Sequence, residues 1–150
     1  MESMFAPGTR EAIAERIRKI EPGTKGEWGT MTPPQMLAHC RLGVQMATGG
    51  RPLKRALIGR LLAWMVRGRF LNTDAPLAKN SPTDPKLLEA TATDVDAERE
   101  QLLKELDAFC ALGLGGMPAY PHPFFGKMSP EQWDRLMAKH LDHHLRQFGV

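Results

Sequence analysis

Apolar residues recur at helical spacing in five stretches of the chain, separated by breaks rich in proline and glycine. The first stretch runs from about Thr9, a residue suited to an N-cap, through Ile13, Ile17 and Ile20, and stops before Pro22-Gly23. The second opens at Thr32 as N-cap with Pro33 at the first helical position, where a missing N–H costs nothing, and ends near Gly49-Gly50. A third helix is expected over roughly Leu53 to Leu71. A fourth is expected over roughly Thr93 to Leu112, where Leu102, Leu103, Leu106, Phe109 and Cys110 share a face. The fifth begins at Ser129-Pro130-Glu131-Gln132, which supplies an N-cap, an N1 proline and a capping-box glutamine, and it continues to Phe148. Between them lie two long irregular segments that do not alternate as strands do. One runs from Asn72 to Ala92, and the other, Gly113 to Met128, holds Tyr120, His122, Phe124 and Phe125 among three prolines. Loops this long are often lids or binding loops, and the aromatic one is expected to be ordered. The pattern predicts an all-α fold.

With 150 residues and 42% apolar content, residues 1–150 suit one domain able to bury its own core. No run approaches the ~20 apolar residues of a spanning helix, and charges interrupt the first twenty positions, so a cytoplasmic protein with no membrane partner is expected. Cys40 and Cys110 show no CxxC spacing and are expected to be reduced. Twenty Lys and Arg against 17 Asp and Glu leave only +3, which implies no nucleic-acid partner. The charge is uneven, however: Arg51 to Arg69 holds six basic residues and no acidic one. Such a segment could dock on anionic lipid or nucleic acid, or attract an anionic substrate through Arg67 and Arg69. The reading adopted is a bundle-packing helix with its basic residues toward solvent.

The candidate chemistry lies in the histidines. On the fifth helix a rotation of 100° per residue puts Trp133, Leu136, Met137, His140, His144 and Phe148 on one stripe, with Asp134, Arg135, Ala138, Asp142 and Arg146 facing away. His140 and His144, four apart, sit one turn above each other in an apolar face, where both imidazoles can reach one ion. A buried ring nitrogen without a partner costs about 1–3 kcal/mol, so two such rings need two explanations or one metal. On the second helix His39 shares a face with Met36, Leu42, Gly43 and Met46, and Gly43 leaves space beside it. His143, at the stripe's edge, is expected at the surface or behind the ligands. His122 stands open between anchoring its loop and joining the site. Gln147 falls near the stripe, where it could support the site, although a polar residue at a helix end is the simpler account. Cys40 points about 100° from His39 and reads as a packed thiol, and Glu27 as a solvated loop carboxylate. Three neutral imidazoles without a fourth protein ligand make an open site of the catalytic kind, and zinc and nickel both suit it.

Four runs carry a family likeness: Trp28-Gly29-Thr30-Met31-Thr32, Gln35-Met36-Leu37-Ala38-His39-Cys40, His122-Pro123-Phe124-Phe125-Gly126, and the long run from Lys139 through His140, His143 and His144 to Gly149. Together they resemble a domain-of-unknown-function branch of the DinB-like (damage-inducible protein B) superfamily. That resemblance implies a four-helix bundle of up-down-down-up topology, often dimeric, with the third predicted helix as an addition in the long crossover. It implies a divalent metal held by one His of the second helix and an HxxxH pair of the last, which here are His39, His140 and His144. Some members are S-transferases or isomerases using bacillithiol, mycothiol or glutathione, and others are metal-dependent hydrolases. The transferase-like members tend to carry Arg-Gly-Gln after the final His, where this chain has Leu145-Arg146-Gln147.

Two functional classes follow. One is a metal-dependent enzyme of the S-transferase or hydrolase type, acting on a small-molecule substrate or low-molecular-weight thiol beneath the Tyr120 to Phe125 loop. The other is a non-catalytic bundle that binds a metal or small ligand.

Overall fold

A computed structural model describes residues 2–50, 67–73, 75–81, 87–88, 91–117 and 121–150. Among these residues the chain is all-helical. Helix α1 spans Thr9–Arg18, α2 Pro33–Thr48, α3 Val95–Leu112 and α4 Pro130–Gln147, and a short 3-10 turn, Leu114–Gly116, follows α3. An isolated antiparallel bridge between His122 and Gly126 is the one β feature of the described residues. None of their helices is long and apolar enough to cross a membrane.

The helix ends follow the predicted capping chemistry with three adjustments. Thr32 and Ser129 each form a capping box with Gln35 and Gln132, and Gly49 closes α2 with φ of 93°. The cap of α1 is Gly8 rather than Thr9. Its φ of 83° turns the chain into the helix, its carbonyl accepts the N–H of Ala12 at 3.0 Å, and Thr9 becomes the first helical residue. Helix α3 starts at Val95, because the Asp94 side chain accepts the N–H of Ala97 at 3.0 Å and so caps the helix one residue beyond Thr93. Helix α4 ends at Gln147, where Phe148 leaves helical geometry.

One cluster of buried side chains draws on all four helices, with Ile13 and Ile17 from α1, Met36, Leu37 and Val44 from α2, Leu102, Leu106 and Phe109 from α3, and Trp133, Leu141 and Leu145 from α4. Helix α2 packs most extensively on α3 and also on α4, while α1 packs on α3 and on α4. Thus α2 is buried over most of its surface, and the faces of α2 and α4 that meet are those carrying His39, His140 and His144.

The outward face expected for α4 is partly covered. Asp134 and Ala138 are buried, and Asp134 Oδ1 accepts the N–H of Met4 at 2.8 Å. Lys139, 2% exposed, donates from Nζ to the carbonyls of Arg69, Phe70 and Thr73 at 3.3, 3.0 and 3.2 Å. These carbonyl acceptors offset part of the cost of burying the ammonium. Residues 67–71 are helical; the rest of the helix expected over Leu53 to Leu71, and most of its basic residues, lie outside the described residues. Arg67 is not free to attract an anion. It donates to the carbonyls of Phe125, at 3.1 Å, and Lys127, and to Gln132 Oε1 at 3.4 Å, pinning the aromatic loop to this segment.

Candidate metal centre

Helix α2 carries His39 and α4 carries His140 and His144, and the three rings stand almost equidistant. Their centroids are 4.8, 4.7 and 4.8 Å apart and their planes 73°, 74° and 86° from one another. One ring nitrogen of each lies within 4.8 Å of the other two, close enough for one metal ion to be held. These three form the single such group of His, Cys, Asp and Glu among the described residues. His39 and His144 are buried, 3% and 7% exposed, and His140 is partly exposed.

The hydrogen bonds on the far sides of the rings decide which nitrogens face inward. His39 Nδ1 lies 2.8 Å from the carbonyl oxygen of Leu87, and His144 Nδ1 lies 2.8 Å from Oε1 of Gln147. Each oxygen only accepts, so each Nδ1 carries the proton and each Nε2 is left with a lone pair. His140 Nε2 is 2.8 Å from His39 Nε2, which has no proton to give, so His140 donates from Nε2. Its Nδ1 is then an acceptor, buried without a hydrogen-bond partner. That edge of the ring lies against Gly43, where a β-carbon would stand 2.9 Å from Cε1 and 3.1 Å from Nδ1. The space expected beside His39 at Gly43 is the space that His140 occupies.

The donor set therefore fits a divalent ion that takes imidazole nitrogen. Two rings are held from behind by acceptors, as metal-ligating histidines commonly are, with their lone pairs turned toward a third ring. Burial lowers the pKa of all three. His144 falls to about 3, and the neighbouring rings push the same way, since a charge on one opposes a charge on the next. The rings are neutral near pH 7, the form in which imidazole ligates.

Residues 9–149 match the family described as protein of unknown function (DUF1569). The chain belongs to this family. The match takes in all four helices and the three histidines. No curated protein and no solved structure matches the chain.

The remaining candidates separate clearly in this family member. Gln147, 4% exposed, contacts His144 directly and is more than a polar residue at a helix end. His143 is half-buried, its ring edge-on to Trp28 and to His144. It lines a cleft of about 250 Å³ with Trp28, Lys79 and Arg146. His122 anchors its own loop: its Nδ1 accepts the N–H groups of Phe124 and Phe125 at 3.0 and 3.1 Å. Tyr120 lies outside the described residues. Cys40 is buried with Sγ 3.7 Å from Met36 Sδ, and burial pushes its thiol well above the usual range. Sequence reasoning did not find the Leu87 carbonyl behind His39 or the Trp28 carbonyl that accepts from Gln147 Nε2, because a backbone acceptor leaves no mark in residue type.

Proposed function

We propose that this chain binds one divalent ion through His39, His140 and His144 and is a metal-dependent enzyme acting on a small molecule. The observation that carries the reading is the convergence of three neutral imidazoles, two of them buried and locked from behind with Nε2 unprotonated. Zinc or nickel bound there would supply Lewis acidity and lower the pKa of a thiol or water at the open position. His39 and His144 present their lone pairs as they stand. His140 must move its proton from Nε2 to Nδ1 to join them.

The packing of α2 on α3 and α4, and of α1 on the same two, supports a DinB-like four-helix bundle. In that reading the topology is up-down-down-up, the third predicted helix is an addition in the crossover between α2 and α3, and the protein is a cytoplasmic homodimer. Sedimentation velocity tests the dimer. The partner is a small-molecule substrate or low-molecular-weight thiol rather than nucleic acid or membrane, in keeping with the internal use of Arg67.

The test pairs metal-loaded and metal-free protein on two panels. One offers bacillithiol, mycothiol, glutathione and coenzyme A with simple electrophiles, and the other offers esters and amides. An S-transferase binds a thiol with release of about one proton and conjugates it only when metallated; a hydrolase turns over the second panel alone. Silence of the fully metallated protein on both panels favours the second reading, a non-catalytic binding protein. The enclosure of His39 and His144 and the lack of a carboxylate in the group lend that reading its support.

A further inference from the structure

We propose that the backbone of the loop at residues 26–29 is a positioning element for His144, acting through Gln147, and that Gly29 must lack a side chain for it to act. The inference rests on the reading of the three histidines as metal ligands and names the device that keeps one of them ready.

A neutral imidazole has two tautomers, and the partner behind it chooses between them. For His39 the partner is a backbone carbonyl, which only accepts. For His144 it is the amide of Gln147, which has an acceptor at one end and a donor at the other. Rotated by half a turn, that amide would present its NH₂ to Nδ1 and favour the tautomer protonated at Nε2. The proton would then sit on the nitrogen that has to ligate. Something must hold the amide one way round.

The carbonyl of Trp28 does so. It accepts from Gln147 Nε2 at 2.8 Å, a contact that only the NH₂ end can make, so Oε1 is left facing His144. The loop is itself fixed to the helix end, since the N–H of Glu27 donates to the backbone carbonyl of Gln147 at 2.7 Å. Gly29 makes the close approach possible. Its φ is 79°, a conformation that favours glycine, and a β-carbon there would lie 2.5 Å from Gln147 Nε2. With Gln147 only 4% exposed, the amide has little room to step aside. Trp28 thus sets the amide, the amide sets the tautomer of His144, and the tautomer sets which nitrogen is free.

Nitrogen-15 NMR of the imidazoles in metal-free protein, with a Zn²⁺ titration of the same samples, tests this relay. Wild-type His144 is expected as the Nδ1–H tautomer. Gln147→Leu should give a tautomer mixture and weaken Zn²⁺ binding by about tenfold to a hundredfold. Gly29→Ala should move both readouts in the same direction, and in the Gln147→Leu background it should add little, since the two changes act through one amide. Gln147→Glu, which keeps an acceptor for Nδ1–H, should retain the wild-type tautomer and so rescue the loss. Wild-type tautomer and affinity in Gln147→Leu and Gly29→Ala would overturn the relay, as would a Gly29→Ala loss undiminished without Gln147. If wild-type protein takes up no Zn²⁺ while the tautomer still follows Gln147, the metal reading falls and the relay stands.

Discussion

His122 and His144 are buried to almost the same degree, 8% and 7% exposed, and in both, burial lowers the pKa far below the ordinary value, to about 4 and about 3. Their Nδ1 atoms are nevertheless used in opposite ways. In His122 it accepts two backbone N–H groups from the turn that follows, so the lone pair is consumed locally and the proton sits on Nε2. In His144 it donates to Gln147, and the lone pair is left on Nε2, toward two other imidazoles. Burial and a depressed pKa are therefore common to an anchor and a candidate ligand. The direction of the free lone pair separates them.

The largest expected difference between the two regions is in metal binding. His140→Ala, and likewise His144→Ala, should abolish stoichiometric uptake of Zn²⁺ measured by calorimetry, because two imidazoles alone do not complete the set. His122→Ala should keep the stoichiometry. A variant of His140 with full occupancy would erase the distinction.

Acid stability should show the converse. The folded pKa of His122 lies below the unfolded value of about 6.5, so as pH falls the unfolded chain takes up the proton first. The stabilisation is complete above about pH 6.5 and is lost progressively down to about pH 4, amounting to roughly 3 kcal/mol from this group. His122→Asn keeps an acceptor for the two N–H groups but does not titrate. Urea melts of metal-free protein across this range should therefore lose less stability in the variant, and parallel curves would count against a neutral His122.

Gly43→Ala should disturb one region and not the other. Its β-carbon would meet the ring of His140 at 2.9 Å, so the ring must shift, with about 1–3 kcal/mol of overpacking and weaker Zn²⁺ binding. The loop of His122 should be unaffected, as judged by the Phe124 and Phe125 amide signals. The smallest effect is expected for His143→Ala, which removes contacts with Trp28 and His144 but no inward nitrogen, and which should change Zn²⁺ affinity by only a few-fold.

Much of this was legible from local pattern. The Thr32 and Ser129 boxes, the N1 prolines of α2 and α4 and the i, i+4 pair in an apolar stripe are relations within one or two turns, and they placed α2, α4 and the three histidines. What was not legible depends on distant partners. Asp134 and Ala138 were expected to face away from the core, yet both are buried, Asp134 by the N-terminal segment that brings Met4 against it. The acceptors behind His39 and His144 involve contacts 48 and 119 positions apart, the second through Trp28, and no spacing rule reaches them. His122 stayed undecided in the sequence because its role turns on a bridge with Gly126 and the turn between them.

X-ray absorption spectroscopy of untagged protein loaded with one equivalent of Zn²⁺ tests the centre most directly. The expected spectrum has three imidazole nitrogens at about 2.0–2.1 Å and no sulfur, with that imidazole signature lost in His140→Ala. Sulfur at about 2.3 Å, or protein that retains no ion after gel filtration, would contradict a centre built from His39, His140 and His144.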